Sequence, residues 1–285
     1  CAFCQVGTFE QRAEHMVVAS NALQFQEEYF AVWRCSSCRS LHSLVKFSLE
    51  NYYQNSPFLK RRLNRYNRVA FEGFYRWLLK KGVGPKNRVL FYGVNSAMFQ
   101  EFFREKGYEF FDTFEEVMNE QRLAAQAAGF YDTVIILDYL ERAEEPRLVF
   151  EFAARQLIPG GTLILHTPDA EKIRTPLNVD NQMHQPFRLH IASWMALETL
   201  AETKGFKRQT MDRYHYLDTL TPFINFRAFH DLPLFFDGSL EAGFNFRPRD
   251  IFRKVWRIPR FVVLGFLGGV FREPSNIVAV FTKQV

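Results

Sequence analysis

The spacing of hydrophobic residues along this chain changes several times, and each change predicts an element of secondary structure. Uninterrupted apolar runs such as 131–137 are expected for strands that are covered on both faces. Between the runs, apolar residues recur at helical spacing, as Phe99, Phe102 and Phe103 do. The predicted strands are 88–92, 108–111, 131–137, 158–168, 206–214 and 275–283, and helices are predicted at 144–157 and 193–204. This alternation predicts an α/β protein with a Rossmann-like, doubly wound, mostly parallel sheet, whose ligand sites lie at the carboxyl ends of the strands.

The composition is that of an ordinary globular protein. Hydrophobic residues make up 47% of the chain and charged residues 24%, and the net charge of +5 is mild. Phenylalanine is in excess, since 32 Phe outnumber the 11 Tyr and 4 Trp combined. The longest apolar run, 261–271, is shorter than the roughly 20 residues that span a bilayer, and no secretory signal pattern is visible. A cytoplasmic location is therefore expected.

All 4 cysteines occur in two Cys-x2-Cys pairs near the start of the chain. Such pairs can supply four thiolates to one zinc ion in a closed structural site, which leaves no position open for catalysis. The alternatives are unrelated buried thiols or disulfides, and a reducing cytosol disfavours the latter. The predicted zinc ligands are Cys1, Cys4, Cys35 and Cys38.

These patterns predict three parts of the chain. Residues 1–45 are a zinc ribbon, 46–87 are a linker helix, and 88–285 are the α/β domain, with an insertion at 216–274 before the last strand. The linker helix has one apolar and one basic face. Its basic face is either simply solvated or a surface that contacts phosphates.

From residue 88 onward the chain resembles the class I S-adenosylmethionine-dependent methyltransferases, which have a Rossmann-like seven-stranded sheet. The resemblance is carried by the segment "YDTVIILDYLERAEEPRLVFEFAARQLIPGGTLILHTPD" and by the helix that follows it. Together with the ribbon, the chain looks like a bacterial branch that includes sugar C-methyltransferases. The residues that fall on the family pattern are Asp132, Asp138, Leu140, Glu141, Pro159, Gly160 and Gly161.

The first motif of that family departs from its usual form here. The family pattern is an acid, an apolar residue and then Gly-x-Gly-x-Gly. This chain has Phe91 at the position of the acid, followed by Tyr92 and "GVNSA", in which Asn95 and Ala97 replace two of the glycines. Asparagine tolerates positive φ, and alanine adds only one methyl group, so these residues narrow the loop. Two outcomes stay open, a pocket that still binds the cofactor and a pocket that is closed. The missing acid predicts that Phe91→Asp would tighten cofactor binding if the pocket is otherwise formed.

The resemblance implies a set of S-adenosylmethionine-binding residues at the strand ends. Asp112 is the candidate for the ribose hydroxyls, because it ends the only strand available between Gly93 and Asp132, a segment shorter than the family usually has. The expected cofactor-binding residues are Tyr92, Gly93, Asn95, Ala97, Asp112 and Asp138.

His184 and His190 follow the fifth strand, where the substrate loop of the family lies. Either histidine is a candidate general base for removing a proton during methyl transfer, and packing or surface roles are the alternative. His166, within a buried strand, is expected to be a satisfied core residue. In the insertion, 247–271 is basic and then apolar, which suits a peripheral membrane contact, a lid or a dimer contact.

The leading hypothesis is a methyltransferase acting on a small or sugar-like acceptor. That acceptor is either free or linked to a nucleotide or a lipid. A catalytically inactive binding or scaffolding protein is the first alternative, and an RNA methyltransferase is the second. The RNA alternative rests on the ribbon and the basic helix. We do not expect a nucleic acid partner, because the chain lacks the Asn/Asp-Pro-Pro-Tyr type of motif that base-amino methylators of the family carry. The oligomeric state is not predicted.

Overall fold

The structure is a computed structural model, and it describes residues 1–20, 25, 27–44, 63, 65–93, 96–113, 129–173, 185–213, 259 and 276–284. Several predictions lie outside these residues. They concern His184, Asn95, the first part of the linker and nearly all of the insertion. No helix among the described residues is long and apolar enough to cross a membrane.

A six-stranded sheet forms the centre of the molecule. Its strands are β4 (Val89–Gly93), β5 (Phe111–Thr113), β6 (Tyr131–Leu137), β7 (Leu157–Pro168), β9 (Phe206–Asp212) and β10 (Asn276–Lys283). Their order across the sheet is β5-β4-β6-β7-β10-β9. The first four strands are parallel, and β10 runs antiparallel to both of its neighbours. The predicted α/β class with a mostly parallel sheet is confirmed.

Helices cover both faces of this sheet. They are α1 (Arg65–Lys80), α2 (Ser96–Glu105), α3 (Pro146–Gln156) and α4 (Trp194–Thr203). One face carries α1 and α2, whose phenylalanines form an aromatic core with Phe91 and Phe111. The other face carries α3 and α4, which bury Phe150 and Leu197 against the sheet. Covering on both faces explains the uninterrupted apolar strands, and it accounts for part of the phenylalanine excess.

A second, four-stranded sheet contains the cysteine pairs. It is formed by β1 (Arg12–Ala19), β2 (Tyr29–Cys35), β3 (Leu41–Ser43) and β8 (His190–Ile191), all antiparallel in the order β1-β2-β3-β8. The first three strands lie in the predicted ribbon, whereas β8 belongs to the α/β domain. The ribbon and the domain therefore share one sheet, and Trp33 of the ribbon lies in the same core cluster as Leu90 of β4.

Most predicted elements agree with the structure to within a few residues, and two differ in an informative way. Strand β5 begins at Phe111 instead of Tyr108. The Tyr108 hydroxyl donates to the Val83 carbonyl at 3.0 Å, and the Tyr108 ring is buried in the same aromatic cluster as Phe111. Strand β8 was not predicted, since its two residues carry no pattern of their own.

Candidate functional site

Strands β4 and β6 end side by side at the carboxyl edge of the sheet, where a ligand site is expected. Gly93, the last residue of β4, pairs with Leu137, the last residue of β6. A Cβ atom on Gly93 would lie 2.4 Å from the Leu137 carbonyl oxygen, so only glycine allows this approach. Asp138 follows directly and has a left-handed backbone with φ of 52°. Aspartate is among the few non-glycine residues that tolerate this region, and such outliers cluster at functional sites.

A buried histidine lies beside the Asp138 side chain. His166 lies on β7 opposite Leu137, and its Nδ1 is 2.8 Å from Asp138 Oδ1. The His166 side chain is fully buried, while 26% of the Asp138 side chain is exposed. The carboxylate is therefore partly exposed at the strand edge, with a buried imidazole against it. Sequence reasoning treated His166 as a core residue, because a strand covered on both faces gives no sign of which side chains reach its edge.

Behind this edge lies a second acidic group, Glu141. Its side chain is fully buried, and burial raises the pKa of its carboxyl group. Thr167 Oγ1 donates to Glu141 Oε2 at 3.4 Å, and Arg188 Nε lies 3.8 Å from Oε1. The backbone of Leu189 donates to the Glu141 carbonyl at 2.7 Å, which ties the segment before β8 to this turn. Glu141 therefore joins the turn after β6 to Thr167 of β7 and to the segment before β8.

The other predicted cofactor residues are only partly brought together. The Tyr92 ring is nearly buried and packs 4.1 Å from the Tyr139 ring, beside the site. Ala97 is exposed in the first turn of α2, the helix that follows β4 in the chain. Asp112 lies level with Leu90, three positions before Gly93, and accepts a hydrogen bond from the Tyr131 hydroxyl at 2.9 Å. Tyr92, Gly93 and Asp138 thus lie at the carboxyl ends of the adjacent strands β4 and β6, whereas Asp112 is directed toward the amino end of β6.

The four cysteine sulfurs form a compact cluster. All four lie within 4.8 Å of one another, with Cys1 and Cys38 at 3.5 Å and Cys4 and Cys35 at 3.8 Å. A tetrahedral zinc ion with Zn–S bonds of about 2.3 Å separates its sulfurs by about 3.8 Å, whereas a disulfide needs about 2.05 Å. The cluster therefore fits a zinc ion and does not fit disulfides.

The two cysteine pairs have the same backbone geometry. In each pair the residue after the second cysteine donates its backbone N–H to the carbonyl of the first, Gln5 to Cys1 and Arg39 to Cys35. Both of these residues have left-handed backbones, with φ of 59° and 64°. Burial raises the pKa of the Cys35 thiol, so ionisation at neutral pH calls for a cation, as metal binding supplies.

Two histidines extend from this cluster. His42 Nε2 lies 3.1 Å from Cys1 Sγ, and His42 Nδ1 lies 3.0 Å from His190 Nδ1. His190 Nε2 lies 3.1 Å from the Glu144 carbonyl oxygen. Burial lowers the pKa of both imidazoles, to about 4 for His190. Since both ring nitrogens of His190 face protein atoms, its predicted role as a catalytic base stays a prediction, and its surroundings favour a structural role.

The ribbon is also bonded to the segments that follow β7. The Arg34 side chain is buried and donates to the carbonyls of Ala170 at 2.8 Å and Ile173 at 3.2 Å. Ser193, the N-cap of α4, donates through its hydroxyl to the Cys38 carbonyl. The cysteine cluster is thus attached to the loop after β7 and to the start of α4.

Comparison with known proteins gives fold-level likeness only. No family model and no curated protein matches the chain. Similar solved structures include a proposed sarcosine dimethylglycine methyltransferase from Galdieria sulphuraria, with a TM-score of 0.46 and 16% identity over 75% of this chain and 84% of that one. An S-adenosylmethionine-dependent methyltransferase from Mesorhizobium loti has a TM-score of 0.43 and 11% identity over 73% and 98%. An S-adenosylmethionine-dependent methyltransferase from Archaeoglobus fulgidus has a TM-score of 0.42 and 13% identity over 77% of this chain and 100% of that one. Likeness at this level assigns no activity, substrate or partner.

Proposed function

We propose that this protein is an S-adenosylmethionine-dependent methyltransferase that acts on a small or sugar-like acceptor. The observation that carries the proposal is the carboxyl edge formed by Gly93 and Asp138. There, the backbones approach closely, and the partly exposed Asp138 carboxylate lies against the buried His166. Ligands of open α/β sheets bind at this edge, outside the carboxyl ends of the strands.

The cofactor would lie between the Gly93 turn and Asp138. When bound, it supplies an electrophilic methyl group on a sulfonium centre. The protein has to hold the acceptor nucleophile in line with that methyl group, and positioning of this kind supplies much of the rate enhancement. The partly exposed Asp138 carboxylate is suited to accept a hydrogen bond from a hydroxyl or amino group of the cofactor.

The preference for a small acceptor rests on the resemblance given above. Beyond β7, Arg34 of the ribbon is bonded to Ala170 and Ile173, so the ribbon lies against the start of the loop in which the substrate is expected. We infer that the acceptor is a sugar-like molecule, free or linked to a nucleotide or lipid. Peripheral membrane contact through 247–271 belongs to the same proposal, for a lipid-linked acceptor.

We also propose zinc as the ion of the cysteine cluster. Four thiolates in a closed tetrahedral arrangement are typical of structural zinc, and the sulfur spacing fits it. The ion would stabilise the ribbon and take no part in methyl transfer.

Calorimetric titration of the whole protein with S-adenosylmethionine and S-adenosylhomocysteine tests the proposal. We expect saturable binding of both. Ala97→Leu should abolish this heat without altering thermal unfolding, because Ala97 is exposed and is one of the residues expected to line the cofactor site. Ala97→Ser, which adds little volume, is the matched control and should bind normally. Absence of heat with the unaltered protein would instead favour the inactive scaffolding alternative.

A further inference from the structure

We propose that His42 and His190 help to retain the metal ion of the cysteine cluster. His42 donates a hydrogen bond to the Cys1 sulfur, and His190 holds the His42 ring in the orientation that allows it. Retention of the metal by the ribbon then depends on a residue of the α/β domain. The proposal concerns the metal site and does not rest on methyl transfer.

The charge of a metal-loaded cluster creates the need for such a donor. Four thiolates around one divalent ion leave two negative charges in excess. Cys35 and Cys38 are buried and Cys1 and Cys4 are half-buried, so this charge has little water around it. Buried charges are costly unless hydrogen bonds compensate them. Backbone N–H groups of Ser37 and Cys38 serve Cys35 in this way, and His42 Nε2, at 3.1 Å, is placed to serve Cys1.

The hydrogen positions on His42 follow from the acceptor. A metal-bound thiolate can only accept, so His42 Nε2 has to carry the hydrogen. In a neutral imidazole the other nitrogen, Nδ1, is then an acceptor, and the group that faces it at 3.0 Å is His190 Nδ1. In the metal-loaded protein His190 thus donates from Nδ1 to His42 and fixes its tautomer, as partners of this kind do around metal sites. A neutral His190 ring then carries no hydrogen on Nε2, so its 3.1 Å approach to the Glu144 carbonyl has to lengthen when the metal binds.

The arrangement is built into the fold at two levels. His42 and His190 are directly opposite each other in the pairing of β3 with β8, so strand register sets their contact. The His42 ring is also held by aromatic neighbours, with its centroid 4.6 Å from the Trp33 ring and 5.9 Å from the Phe3 ring. The donor is therefore oriented before the metal binds.

Zinc release from the whole protein to a coloured chelator at fixed pH tests this proposal. His42→Phe should lose zinc about 10- to 100-fold more readily, the range for partners that support metal ligands. His190→Phe should show a smaller loss in the same direction. His190→Asn should recover part of it, because its amide can donate to His42. The control is His15→Phe in the same ribbon, since the exposed His15 ring contacts Phe9 at 5.3 Å and should leave zinc retention unchanged.

A second measurement covers the case in which His42→Phe does not fold. Cobalt-loaded His190→Phe and His190→Asn should differ in their thiolate-to-cobalt absorption, because that band responds to hydrogen bonding at sulfur. Circular dichroism establishes that both variants are folded. Three results would each overturn the proposal: release at the unaltered rate from both Phe variants, identical release and spectra for the two His190 variants, or an unaltered protein that binds no metal.

Discussion

Replacing Phe91 with aspartate should unfold the α/β domain instead of creating a cofactor-binding group. The resemblance to methyltransferases places an acid at this position, and the sequence alone predicted that restoring it would tighten binding. In the structure, the Phe91 side chain is fully buried on the face of the sheet that α1 and α2 cover. Its ring is stacked 4.5 Å from the Phe99 ring of α2 and 6.0 Å from the Phe111 ring of β5. An acid there would face a phenylalanine core and not a ligand.

The size of the effect follows from two contributions. Removing a buried phenylalanine side chain costs about 3–5 kcal/mol, from lost burial and the cavity that remains. Burying a carboxyl group without a partner adds about 1–3 kcal/mol. The sum of about 4–8 kcal/mol is comparable with the total stability of about 5–15 kcal/mol that is usual for a folded domain. Most Phe91→Asp molecules should therefore be unfolded at 25 °C.

Urea unfolding followed by circular dichroism is the appropriate assay. Phe91→Leu is the matched control, because it keeps an apolar side chain and should cost about 1–1.5 kcal/mol. The midpoint should fall slightly for Phe91→Leu and collapse for Phe91→Asp. A Phe91→Asp protein that unfolds near the midpoint of the unaltered chain would refute this reasoning, and tighter binding of S-adenosylhomocysteine would restore the expectation drawn from the resemblance.

Three further predictions concern the metal, the strand edge and nucleic acid. Chelation of the metal, or Cys35→Ala, should raise amide hydrogen exchange in β1–β3 and also in β8, whereas unchanged exchange in β8 would contradict the shared sheet. Asp138→Asn should weaken S-adenosylhomocysteine binding about 10- to 150-fold, since a charge-assisted hydrogen bond contributes about 1.5–3 kcal/mol. His166→Gln should weaken it less, because His166 only contacts the Asp138 carboxylate. Calorimetry checks this, and equal affinity in both would remove Asp138 from the site. Oligonucleotide binding should be weak and vanish near physiological salt, while sub-micromolar affinity there would favour an RNA acceptor.

The main sheet could be predicted from sequence because its strands carry local signals. Strand β6 was predicted at 131–137 and is observed at Tyr131–Leu137, since an apolar run covered on both faces has clear ends. The cysteine cluster could also be predicted from sequence, because the spacing within each Cys-x2-Cys pair is typical of a turn around a metal ion. In both cases the information lies within a few neighbouring residues.

The rest depended on contacts between distant segments. The pairing of His190 with His42 joins residues from different parts of the chain, and no local pattern marks a two-residue strand. The environment of Asp138 depends on His166 across the sheet, which strand order alone brings near. Asp112 was chosen because it ends the only strand predicted between Gly93 and Asp132. In the structure Asp112 lies within β5, and its carboxylate accepts a hydrogen bond from Tyr131.

The position of β10 has a consequence for how the protein is made. This strand lies between β7 and β9 and pairs antiparallel with both, although it follows them in the chain. During synthesis β7 is complete at residue 168, but its partner strand begins only at residue 276. At about 5–20 residues per second, the ribosome needs roughly 5–20 s to cover that interval. Throughout it, the apolar strand β7 has one unpaired edge, and β9 adds another once residue 212 has been made. Unpaired strand edges are templates for association with other chains. We expect nascent chains of this protein to depend on chaperones in that interval, however stable the finished sheet is.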